Sequence, residues 1–251
     1  MIEAGSLEFA FARISSRLGE RPDDALWRRV AVVRDFAAVL AIVRASSLAA
    51  WVVGIGPDAE LHAIEAAARR HWRQLVAEVA AWMPDAWRRS VLWCSLLVDL
   101  PVLRHLGHGE PRAAWLREDP AWGDLTDSAA VGCDRDRSAL LREGTGDSRR
   151  LLAAWRTQWE RTLPVPLAQA DVLAHLVRML DDHARQFAGV HPADGWPLRR
   201  VLHARLMLLF RRAPLDPAAA FIFLALSALE YERLRAELSS RRAFPRRPMA
   251  A

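Results

Sequence analysis

The sequence predicts an all-α protein, and three observations carry that prediction. Apolar residues recur every three to four positions through nearly all of the chain, the period of a helix with one buried stripe. Ala, Leu, Arg and Glu dominate a composition that is 52% hydrophobic and 26% charged, a mixture of strong helix formers. Gly and Pro gather between the periodic stretches instead of inside them. Even the valines keep helical spacing, as at Val30 and Val33 before Leu40.

Taken in order, Ser6 opens a first helix that runs to Leu18 and stops at Gly19. Pro22, Asp23 and Asp24 open a second, which Trp27, Val30, Val33, Ala37 and Leu40 carry onward. A break is expected near Ser46 and Ser47, and an end at Gly54, Gly56 and Pro57. Asp58 is expected to cap a long helix whose buried stripe reads Leu61, Ile64, Ala68, Trp72, Leu75, Val79 and Trp82, closed by Pro84. A fourth helix runs from Asp85 to about Leu106 through Trp87, Val91, Leu92, Leu96 and Leu103, and Pro101 should kink or split it. Residues 107–134, rich in Gly, Pro, Asp and His, read as an irregular connector anchored by Trp115 and Trp122. Helical patterns return at about 135–162, 167–188, 195–212 and 216–243, and the tail from Pro245 should fray. This gives an N-terminal bundle, 1–106, and a C-terminal bundle, 135–251, which can also close into one continuous domain.

Charge and cysteine content narrow the setting. The net charge is +5, and all 35 basic residues are Arg, so the high isoelectric point reflects residue choice as much as excess charge. Cys94 lies in an apolar helical run and Cys133 in a Gly/Asp-rich stretch, with no CxxC pair, which points to a reducing compartment. The N-terminus lacks the basic-then-apolar pattern of a secretory signal, and the apolar runs 30–53 and 218–229 are broken by charge or too short to cross a bilayer. A cytoplasmic protein with no transmembrane segment of its own is expected.

The local signatures of catalysis, namely a Walker A loop, GxGxxG, GxSxG and HExxH, do not occur in the sequence. His62 and Glu65 lie three apart, and His175, Asp182 and His183 share a helical face. Both sets fit a solvated helix surface better than a metal site, and no cofactor is expected. Trp72 and Trp82 fall on a buried stripe, whereas Trp51, Trp115, Trp122 and Trp196, beside breaks or in the connector, are candidates for contacts with another chain. Arginine pairs at 69–70, 88–89, 149–150, 199–200, 211–212 and 241–242 lie on different helices without an aromatic RNA-binding signature, so direct nucleic-acid binding is not expected.

Two segments rhyme. Asp99 precedes Leu103-Arg104, and Glu230 precedes Leu234-Arg235, each near the end of an apolar helix. Near the N-terminus stands Phe9-Ala10-Phe11-Ala12-Arg13-Ile14, followed by Arg17-Leu18, and near the C-terminus Glu230-Tyr231-Glu232-Arg233-Leu234-Arg235. In this order the segments resemble the V-type and A-type ATPase subunit called C in archaeal and bacterial complexes and d in eukaryotes. Ser15, Val102 and Arg233 stand where that family's pattern carries Arg, Asn and Asn, and the chain is shorter than a usual member.

The resemblance implies a funnel-like assembly of related helical bundles with internal pseudo-repeats, which performs no chemistry. It would sit on the membrane rotor ring, receive the central stalk, and thereby lie at the cytoplasmic face of the membrane. Arg13, Asp99, Leu103, Arg104, Trp115, Trp122, Glu230, Arg233 and Arg235 are then the structural and interface candidates, with the carboxylates and arginines tying helices together. The rival expectation is a helical adaptor or regulator that binds protein or nucleic acid through its arginine pairs.

Overall fold

The computed structural model describes residues 5–109, 115, 116, 119, 122, 133–144, 147–191 and 194–244, and among them every regular element is helical. The first three helices are each started by a side chain that accepts a free backbone N–H. Ser6 accepts from Phe9 (3.2 Å) to begin α1 (Leu7–Gly19), Asp23 from Leu26 (2.7 Å) to begin α2 (Asp24–Val32), and Asp35 from Ala38 (2.7 Å) to begin α3 (Phe36–Arg44). A 3₁₀ turn (Ala49–Val52) leads to the long α4 (Leu61–Trp82), then α5 (Asp85–Trp93), a 3₁₀ segment (Cys94–Asp99) and α6 (Leu100–Gly107). Beyond the connector come α7 (Cys133–Gly144), α8 (Ser148–Arg161), α9 (Asp171–Ala188), α10 (Gly195–Arg211) and α11 (Ala218–Ala243).

Three boundaries depart from the sequence reading, and one expected break is found. The helix expected to continue past Val33 breaks at 33–35, because Asp35 caps a new helix and the carbonyls of Val30 and Val33 are taken by Arg241. The long helix α4 is preceded by Glu60, so Asp58 is not its cap. The helix expected over 85–106 is split, as its proline predicts: Pro101 lies in the first turn of α6, where its missing N–H costs nothing, and the preceding turn has tightened to 3₁₀. The pattern expected over 135–162 is two helices, α7 and α8, the second capped by Asp147. Most of the expected connector and the tail from Pro245 lie outside the described residues. Of the connector, Leu116, Asp119 and Trp122 are described and buried.

The first and last helices meet. α11 packs on α4, α1, α3, α9 and α10, and buried residues from Ala10 to Leu238 form one continuous cluster. The N-terminal half of α11 is apolar on every side because it is enclosed: Phe221 meets Trp159 of α8 at 5.6 Å and Trp87 of α5 at 6.4 Å. Its C-terminal half buries only a stripe, Leu234 and Leu238. Residues 85–107 have the length and apolarity of a membrane span, but here they divide into α5, a 3₁₀ segment and α6, and Val91, Leu96, Val102 and Leu103 belong to the shared core.

Arg241 closes the fold at the far end of α11. It donates to the carbonyls of Val33 (2.8 Å) and Val30 (2.6 Å), which end α2, and to the backbone and carboxylate of Glu237 (2.6 Å each). A guanidinium can hold all of these at once and an ammonium cannot. Arg241→Lys should therefore lose about 1–2 kcal/mol in urea unfolding, and hydrogen exchange should rise first in the amides of α2.

Candidate functional site

The two rhyming segments turn out to be two ionic clamps. Asp99, wholly buried at the end of the 3₁₀ segment, accepts from Arg73 of α4 on one carboxylate oxygen and from Arg137 of α7 on the other, at 2.9 Å. Such a carboxylate is stable only because both oxygens are met by charged donors. Leu103 follows in the core, and Arg104 donates to the hydroxyl of Ser148 at the start of α8 (3.1 Å). One short segment thus joins α4, α6, α7 and α8.

In the second clamp, Glu230 of α11 accepts from Arg21 Nε at 2.5 Å, and the same guanidinium donates to the carbonyl of Leu226 (3.3 Å). Burial raises the pKa of Glu230, and the Arg21 charge only partly opposes it. Leu234 is buried, like Leu103, and Arg235 reaches Glu65 of α4 (3.2 Å) and Glu232 (3.0 Å).

The partners of these residues are ones the sequence did not identify. Asp99 is held by Arg73 and Arg137, not by Arg104, and Glu230 by Arg21, not by Arg233 or Arg235. Arg13 ties α1 to α4 by lying over the ring of Trp82 (5.4 Å), and Arg233 lies over Trp27 (4.3 Å) and Trp196 (5.8 Å).

Two of the tryptophans expected at an outer contact are instead interior. Trp51 is buried against His71 (4.4 Å) and Tyr231 (5.5 Å), and Trp122 is buried beneath Arg137 (5.0 Å). Both rings cover charged or polar groups that the core must shield. Trp115 is half-buried with Arg69 over its face (5.2 Å), and Trp196 is half-buried against Arg199 (5.0 Å).

Between the clamps, α4, α6 and α11 border a solvent-open cavity of about 580 Å³. Its walls include Trp72, Val98, Val102 and Ala228, with Glu65, Arg69, Tyr231, Glu232 and Arg235 as polar members. These charges are already matched: Arg69 donates to Asp119 (3.0 Å), and Glu65 receives both Arg235 and the Tyr231 hydroxyl (3.4 Å). Burial, and then the Glu65 carboxylate, push the Tyr231 phenol up, so it stays protonated and can only donate to Glu65. A mostly apolar hollow rimmed by paired charges suits the seating of another apolar surface.

His175, Asp182 and His183 do not converge. Asp182 pairs with Arg185, His183 lies against Phe187 (5.9 Å), and among the described residues no group of three or more His, Cys, Asp or Glu is placed to share a metal ion. Burial pushes the Cys94 thiol up to about 12, which leaves it an inert part of the core.

The clamp arginines 21, 73 and 137 were missed from sequence. A signal for one of them existed: Glu65, Arg69 and Arg73 recur every four residues of α4, directly beside its apolar stripe. Compared with protein-family models, curated proteins and solved structures, the chain matches none of them significantly.

Proposed function

We propose that this chain is a non-catalytic coupling subunit of the C or d type in a V/A-type ATPase, seated between the membrane rotor ring and the central stalk at the cytoplasmic face. The observation that carries the reading is the repeated clamp. In each rhyming segment a carboxylate largely shielded from water grips an arginine distant in the chain, the leucine four residues on fills the core, and the following arginine fastens a neighbouring helix. The residues that carry the resemblance are thus the ones that lock helices to each other.

Such a body suits force transmission. Close-packed helices resist compression but can slide along their ridges, and directional ionic ties between helices oppose that sliding. The apolar cavity between the clamps, at the junction of α4, α6 and α11, offers a seat for a partner surface. Co-expression with the rotor-ring and central-stalk subunits of the same cell is the direct test. The coupling reading expects a stoichiometric complex that survives size exclusion, and a chain that elutes alone beside an intact ring and stalk would overturn it.

A further inference from the structure

The arginine pairs of this chain mostly turn one member inward. Arg69 meets Asp119, Arg88 reaches the carbonyls of Ala80 and Met83, Arg199 meets Glu232, and Arg241 closes α2. Arg211 and Arg212 behave differently. Both are exposed, as is Arg205 one to two turns before them, and none of the three forms an ion pair among the described residues. No acidic residue occurs between Gly195 and Arg212.

On the same outward face of α10 stand Val201, 57% exposed, and Leu208, 48% exposed. At 100° per residue these two and the three arginines fall within about 120° of the helix circumference, the aliphatic pair between the charges. Just past the helix, Leu215 holds a left-handed backbone (φ +56°) that glycine would adopt without strain, yet carries a large side chain that is 46% exposed. Two outward aliphatic groups and three guanidiniums without an ion pair among the described residues therefore share one face of α10, with a third exposed aliphatic side chain, Leu215, just past its end.

We propose that this face of α10 with Leu215 docks on an anionic lipid surface, the aliphatic groups entering the headgroup boundary and Arg205, Arg211 and Arg212 binding lipid phosphates. The alternative occupant, an acidic partner helix, fits less well. A coiled-coil seam through Val201 and Leu208 would put Ala204 and Arg211 at its remaining core positions, leaving a charge inside the contact. At a bilayer the same arginine lays its stem on the apolar zone and carries its head to phosphate, which guanidinium meets with two parallel hydrogen bonds. The inference needs only this face and does not depend on the coupling-subunit reading.

The test is co-sedimentation of the full purified chain, without any partner, with vesicles of phosphatidylcholine alone or mixed with phosphatidylglycerol. Binding is expected only to the mixed vesicles and should weaken as salt rises. Each arginine contributes about fivefold to partition, so Arg205→Gln with Arg212→Gln should weaken it about 25-fold. Leu208→Asp should abolish binding, with the helical circular dichroism of both variants unchanged because the altered side chains are exposed. Leu215→Gly, which relieves backbone strain while removing the anchor, should fold at least as stably and bind more weakly. No binding to the mixed vesicles overturns the proposal. So does binding that ignores Leu208→Asp, or tighter binding to a soluble Glu-flanked leucine-seam peptide than to the vesicles.

Discussion

Asp99→Ala is expected to lower the free energy of unfolding by about 3–5 kcal/mol. Asp99 is fully buried, and the two guanidiniums that share it, Arg73 and Arg137, are themselves mostly shielded from water. Removing the carboxylate leaves like charges from α4 and α7 facing one space, so the helices it joined should separate or admit water. Arg73→Ala and Arg137→Ala each leave Asp99 one charged donor and should cost less, about 1–3 kcal/mol. Replacing the set together, Asp99→Leu with Arg73→Met and Arg137→Met, should regain much of the loss, because a packed apolar cluster avoids desolvating any charge. Urea unfolding followed by helical circular dichroism measures all four. An Asp99→Ala midpoint indistinguishable from the parent chain would remove the clamp from the account of stability.

The same clamps show what the sequence could and could not convey. Helix class and most helix starts are local properties: Ser6, Asp23 and the apolar stripe of α4 announce themselves within a few residues. The break between α2 and α3 does not. The apolar period runs straight through Val33, and the interaction that satisfies the end of α2 comes from Arg241, 208 positions beyond Val33. Asp99 and Glu230 stood out as carboxylates inside apolar runs. Their partners did not, because all 35 basic residues are Arg and nothing local separates Arg21 and Arg137 from the solvated ones, while Arg73 carries only its four-residue spacing from Glu65 and Arg69. Trp51 and Trp122 were misread for a related reason. A tryptophan beside a helix break resembles an interface anchor, and only the folded chain shows the buried Arg137 above the ring of Trp122. The cavity between α4, α6 and α11 was equally unreadable, since it exists only where segments more than a hundred residues apart meet.

Arg21→Ala should be nearly as damaging as the loss of Asp99, and its damage should depend on pH. Glu230 keeps a raised pKa even with Arg21 beside it, because burial acts more strongly than the ion pair. Without Arg21 nothing named in the clamp offsets that burial, and the folded-state pKa must climb further. A carboxyl group whose folded pKa exceeds its unfolded value binds more protons in the native state across the interval between them. Stability from this group is therefore fully present below the unfolded pKa, about 4.3, and is lost as pH rises through the folded pKa. In the variant the loss should reach about 3 kcal/mol at about pH 8, where Glu230 must either ionise unpaired or unfold, and should shrink toward about 1 kcal/mol near pH 4.5, where a neutral carboxyl is tolerated. Glu230→Gln in the same background removes the titrating proton and should flatten the pH dependence, leaving only the lost tie between Arg21 and α11. Paired urea titrations at the two pH values separate these terms: a difference between Arg21→Ala and the parent chain that is the same at both would mean that Glu230 is not held by Arg21, and the second clamp would then have to be given up.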